Sequence, residues 1–313
     1  IPAWTAAAIP AAHEHQLRRT PPDPGEASVT FLIRSPERAR RLRKALTSPS
    51  LPAGVGALSV LETPTADFVA DALSDPSVDL LYCDLPLDDG VPVANGTPVD
   101  FPHDPTADDR SAPVVSVFEG SRRVAAGVDA VRRGGTGAAV IDGRIPAERI
   151  RTAVELLAAA GLPLDTSLAT LPDRPPVRFA GNGSTNVMPP NPPTPRLAFV
   201  ESATDSEHRV TWRTVLSPLS WFGAEYQIVY DCFDGKTRLV GRDPTERPAL
   251  SSETVAEWSI ERDTRLFLNG QFVSPTTDLT VGDVEESAHR AVKVDESADD
   301  GPAELCDESR CYD

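Results

Sequence analysis

SVTFLIRSPERARRLRKAL, residues 28–46, decides the fold. Its first half is an apolar run, too short for a helix and β-branched near its start, as befits a central strand covered on both faces. Ser35 then stands where a helix cap belongs and Pro36 in the first turn, and Ala39, Leu42 and Leu46 recur on one helical face. The basic run RARRLRKAL (38–46) reads as the solvated face of that helix. A strand that feeds directly into an amphipathic helix is the first half of a βαβ unit.

The same alternation continues downstream. GALSVLE (56–62) reads as strand, TADFVADAL (65–73) as a helix capped by Thr65, and VDLLYCDL (78–85) as strand. Two consecutive βαβ units imply a parallel sheet with right-handed crossovers. In DDGVPVANGTPVD (88–100) the pair Asn95-Gly96 signals a hairpin. Glycosylation at NGT or at NGS (182–184) ranks below turn chemistry because no export signal is visible. APVVSVFE (112–119) and TGAAVIDG (136–143) are further buried strands, and 121–135, 146–161 and 163–171 further helices. The fold class expected for residues 28–185, after an entry segment 1–27, is α/β: a doubly wound, mostly parallel sheet of about six strands.

The proline-rich stretch NVMPPNPPTPR predicts a stiff linker at 186–195. Beyond it, residues 196–280 read as a small β-rich domain. RLAFVES, HRVTWRTVLS, AEYQIVYDCF and KTRLVG are strands, SSETVAEWSI a helix, and TRLFLNGQFVS a hairpin turning at Asn269-Gly270. The acidic segment 281–313, with VDESADDG and CDESRCYD, lacks a packed pattern and is expected to be disordered.

Composition narrows the partners. Acidic residues number 47 against 30 basic ones, a formal charge of −17, with lysine only at Lys44, Lys236 and Lys293. This acidic, lysine-poor balance suits concentrated salt, and it repels phosphate backbones and anionic lipid, excluding nucleic acid as an expected partner. Cys83, Cys232, Cys306 and Cys311 are too few and scattered for a disulfide framework. No apolar run is long enough to span a membrane, so the expected location is the cytoplasm. The chain opens on Ile1, as a fragment of a longer protein would.

The order of elements resembles the CHAT family, caspase- and separase-related peptidase domains, in particular those of haloarchaeal proteins. The likeness runs from PAWTAAAIPAAHEHQLRR (2–19) through LLYCDLPLDDGVPVANGTPVD (80–100) and VVSVFEGSRRVAAGVDAVRRGGTGAAVIDG (114–143). It continues in AGLPLDTSLATL (160–171), VRFAGNGSTNVMPPNPP (177–193) and FLNGQF (267–272). It implies a caspase-like sheet with a histidine and a cysteine together at the carboxyl ends of adjacent strands, the thiolate attacking a peptide carbonyl. The matching positions hold Leu85 or Pro86 for the histidine and Glu119 for the cysteine, with Ser121 retained from the trailing motif. None of these can make the dyad. The resemblance therefore implies a catalytically silent peptidase-like domain that binds a protein, either an active relative or an upstream part of its own chain. The expected binding face lies around Asp84, Pro86, Asp88, Glu119, Ser121 and Arg122, or on the β-rich domain. No cofactor or metal is implied.

Nearby residues offer substitute chemistry for a hydrolase with relocated groups. Cys83 sits on a buried strand, where cysteine behaves as a small hydrophobe. His103 lies in the loop after the hairpin, and Glu119 with Asp84 would make a two-carboxylate hydrolytic site. HEH (13–15) has metal-ligand spacing only in a strand, and Cys306 with Cys311 supplies two of the four ligands zinc normally takes. AGNGS (180–184) lacks the helix and lysine of a phosphate loop and reads as a turn. Trp212, Trp221, Tyr226 and Tyr230 read as core of the β-rich domain, with a partner-binding patch as the alternative.

Overall fold

In a computed structural model of the chain, the structure describes residues 3–5, 22–23, 25–88, 91–99, 112–120, 124–171, 175–183, 185–188, 196–204, 206–214, 225–230, 233–238, 249–259, 264–274 and 277–299. The first domain runs β1 (Ala3–Thr5), β2 (Ala27–Ile33), α1 (Pro36–Thr47), β3 (Val55–Glu62), α2 (Ala66–Leu73) and β4 (Leu80–Asp84). Three short strands follow: β5 (Leu87–Asp88), β6 (Val91–Ala94) and β7 (Thr97–Pro98). Then come β8 (Val115–Glu119), α3 (Ala125–Arg132), β9 (Gly137–Ile141), α4 (Ala147–Ala158), α5 (Leu164–Ala169) and β10 (Val177–Gly181).

These strands form one sheet in the order β1-β10-β9-β8-β4-β2-β3. The ladders from β3 through β9 are parallel, and β10 is antiparallel to β9. β4, β8 and β9 are buried along their whole length, which is why their sequences are unbroken apolar runs without alternation. Alternate residues feed two separate cores. On one face α1, α4 and α5 place Leu42, Ile150 and Leu164 against Phe31, Tyr82 and Val117. On the other, α2 and α3 place Val69 and Val131 against Leu32, Cys83 and Phe118. The sheet is doubly wound, as the strand and helix signals require.

Three differences from the sequence expectations have local causes. The entry segment is not outside the sheet: Ala3–Thr5 pairs parallel to β10, with Trp4 opposite Phe179. At the start of the expected linker, Val187 and Met188 are buried in the first core, and Asn186 Nδ2 donates to the Gly161 carbonyl. Residues 281–299 of the supposedly disordered segment form a helix, α7 (Val281–Asp299). Val284 and Ala288, one turn apart, are fully buried on it, and they pay for its ordering by packing into the second domain's core.

That domain comprises β11 (Arg196–Ser202), β12 (His208–Thr214), β13 (Glu225–Tyr230), β14 (Phe233–Arg238), β15 (Ala249–Leu250), α6 (Ser252–Trp258), β16 (Thr264–Leu268), β17 (Gln271–Phe272) and α7. Its main sheet has the order β15-β12-β11-β16-β17, with β13 and β14 as a separate hairpin. Both expected Asn-Gly turns are present. Asn95 and Gly96, at φ 50° and 82°, and Asn269 and Gly270, at 49° and 76°, carry the paired positive φ of the tight hairpin turn. The two domains meet where Leu156, Ala160 and Leu162 pack against Leu197 and Phe267, and Phe267 in turn stacks on Phe199 at 4.8 Å.

Candidate functional site

Parallel α/β sheets present their ligand-facing groups at the carboxyl ends of their strands. Here β2, β4 and β8 end side by side, and the side chains gathered there are Arg38, Tyr82, Asp84 and Glu119. Glu119 is the last residue of β8, and its side chain has no solvent exposure. One carboxylate oxygen accepts from Arg38 Nη2 at 2.5 Å and the other from the Ile145 N–H at 2.6 Å. Arg38 also donates to the Ile145 carbonyl at 3.1 Å, and its Nε lies 3.1 Å from Asp84 Oδ2. Arg144 approaches the other Asp84 oxygen at 3.9 Å from a half-exposed position. The Tyr82 hydroxyl is buried beside Glu119 and makes no well-formed hydrogen bond among the described residues.

The electrostatics follow from burial. Desolvation raises the Glu119 carboxyl above its ordinary range, opposed by the Arg38 charge and the Ile145 N–H. Desolvation alone would lower Arg38, but the two carboxylates outweigh it and hold the guanidinium above its usual value. Burial pushes the Tyr82 hydroxyl well up. The cluster is a buried ion network that fastens α1 to the strand ends and to the 144–145 turn.

The sequence-named residues are distributed as follows. Pro86 and Asp88 are exposed just beyond β4, whereas Asp84, expected on a binding face, is 6% exposed and occupied by Arg38. Glu119 is likewise sealed rather than presented. Asp84 and Glu119 do share a neighbourhood, as a two-carboxylate site would need, but the guanidinium stands between them. Cys83 points into the opposite core, with Leu81 and Phe118, and burial pushes its thiol up to about 12. Buried on the far face of the sheet from Glu119, this thiol is held in its protonated, less nucleophilic form. Ser121, Arg122, His103, HEH (13–15), Trp221, Cys306 and Cys311 lie outside the described residues, as do the side chains of Trp212, Tyr226 and Tyr230. Among the described residues no group of His, Cys, Asp and Glu could hold a metal ion. Nor is any helix among the described residues long and apolar enough to cross a membrane.

Arg38 is the residue that sequence reasoning missed. The basic run places it with its neighbours on a solvated face, yet it turns inward while Arg40, Arg41, Arg43 and Lys44 remain exposed. The signal was present in the spacing: Arg38 lies four residues before Leu42 and one before buried Ala39, at the margin of the apolar stripe. Arg151 behaves similarly. It donates to the carbonyls of Ala45, Ser48 and Ser50 and pairs with Glu155, tying the end of α1 to α4. A cavity of about 960 Å³ lies beside Arg151, Phe272 and Asp283 between the domains, and none of its lining residues belongs to the strand-end cluster. Comparison with protein-family models, with curated proteins and with solved structures finds no match to this chain.

Proposed function

We propose that this chain is a catalytically silent CHAT-like module of the caspase-like type, which acts in the cytoplasm by binding another protein. Support comes from the place of the two family positions. Pro86 follows β4 and Glu119 ends β8, and these strands are paired neighbours, so both positions sit at the carboxyl ends of adjacent strands, where a dyad would need to be. The antiparallel final strand beside a parallel set agrees with a caspase-like topology. The observation that carries the silent reading is Glu119 itself. At the position matching the nucleophile stands a carboxylate with no solvent exposure, held by Arg38 and a backbone N–H. The exposed remainder of the mouth, Pro86 and Asp88, is left for a partner, an active relative or an upstream part of the same polypeptide.

Turnover of mixed peptide substrates in concentrated salt tests this reading, together with labelling by a thiol-reactive probe. No hydrolysis is expected, and Cys83 should react only after denaturation. Hydrolysis abolished by Glu119→Gln, or stoichiometric labelling of Cys83 in the folded chain, would instead establish a hydrolase with relocated residues.

A further inference from the structure

β3 is the last strand of the seven-stranded sheet, and among the described residues nothing pairs with its outer edge. Its eight residues, VGALSVLE, include no charge before Glu62 and no proline. Thr63 N–H donates to the Ile33 carbonyl, and a parallel ladder engages alternate residues. The main-chain groups of Leu58, Val60 and Glu62 therefore point away from β2. Arg43 Nη2, reaching the Val60 carbonyl from α1 at 3.1 Å, marks that direction.

The flanks of this edge differ in chemistry. Leu58 and Val60 lie on the α1 face of the sheet, where Arg43 and, one turn earlier, Arg40 are exposed. Leu61 lies on the α2 face, where Phe68 is 59% exposed. Arg43 and Phe68 both line a cavity of about 380 Å³ at the end of β3, with Val60, Leu61 and Pro64. Arg43 is only loosely held by Glu62, at 3.8 Å with both side chains half exposed. A carbonyl has two acceptor sites, so Val60 can keep Arg43 and still accept from an added strand.

We propose that the outer edge of β3 is a strand-addition site for an extended peptide alternating acidic with apolar side chains. The added main chain pairs with Leu58, Val60 and Glu62. Its acidic side chains meet Arg40 and Arg43 on the α1 face, and its apolar ones meet Leu61 and Phe68 on the α2 face. Charge complementarity selects the occupant: in a chain of net charge −17, α1 concentrates four exposed cations, two of them on this flank. A second copy would bring its own cations against them. This edge lies apart from the strand-end cluster and shares none of its four side chains.

The test is fluorescence anisotropy with a labelled octapeptide alternating Glu and Val, and with its Lys–Val counterpart, at the lowest salt that keeps the full chain folded. The Glu–Val peptide should bind and the Lys–Val peptide should not. Arg43→Glu, at an exposed position, should reverse the preference, and Phe68→Ala should weaken binding of the Glu–Val peptide by about tenfold, as loss of one partly exposed aromatic anchor does. Leu58→Pro removes an outward N–H without touching the β2 ladder and should abolish binding; its folding is checked by its unfolding midpoint. Failure of the Glu–Val peptide to bind, equal binding of both peptides, or a dimer lost on Leu58→Pro would each overturn the proposal.

Discussion

Without its guanidinium partner, Glu119 would keep only the Ile145 N–H in a site closed to water. Arg38→Ala should therefore cost about 3–5 kcal/mol at pH 7, the range for breaking a buried ion pair. The loss should shrink as pH falls towards 4. Glu119 is already raised in the folded chain and would rise further in the variant, so the folded state retains a proton that the unfolded state has released. Stability then falls as pH rises through the ordinary carboxylate range and up to the raised value. Urea unfolding of wild type and variant across that range checks this. A pH-independent loss would mean that the arginine stem, not its charge, supports α1. Pro86, Asp84 and Glu119 could be placed at strand ends from their neighbours in sequence. That Arg38 pairs with both carboxylates could not, because these contacts are long-range, the one to Glu119 joining residues 81 positions apart in the chain.

At the scale of single elements, α7 shows how an acidic segment is ordered. Thr280 Oγ1 accepts from the Asp283 N–H, and the Asp283 carboxylate accepts from both the Thr280 N–H and its hydroxyl. This is a capping box with aspartate in the glutamate role, and these hydrogen bonds hold the Asp283 carboxyl below its usual range. Thr280→Ala should cost about 1 kcal/mol. Val284→Asp, which puts an unpaired polar group into a fully buried position, should cost at least ~3 kcal/mol. Chemical denaturation followed by circular dichroism separates the two, and near-equal losses would mean that packing does not hold this helix. The cap was legible in the pattern Thr-x-x-Asp, but the high charge of the following residues concealed the two small apolar positions that pack. The first two βαβ helices, α1 and α2, were easier to read because each sits between apolar strands, with its cap, Ser35 or Thr65, and its stripe intact.

For the whole molecule, the second domain is joined around His208, which is fully buried with Nδ1 2.9 Å from Ser202 Oγ and Nε2 3.0 Å from Ser252 Oγ. Ser202 also accepts from Asn269, whose amide reaches Ser287 of α7 as well. Desolvation lowers His208 below the ordinary value, with Glu285 opposing. Its neutral form thus stabilises the fold above about pH 6.5, and that stability is lost as pH falls through and below this point, where the unfolded histidine binds a proton first. Thermal unfolding at pH 7 and pH 5 should show the acid loss in wild type and a flatter response in His208→Gln. Equal slopes would mean that other groups govern the response. The sequence by itself determined the alternation of strands and helices, the two Asn-Gly turns and the positions of the strand ends, because these follow from local periodicity and backbone preference. Only the tertiary structure decided which of the strand-end acids are sealed, which face of the sheet Cys83 occupies, and that β3 is an edge. Those depend on strand order and on side chains brought together from distant parts of the chain, and burial there, rather than residue type, sets each group's chemistry.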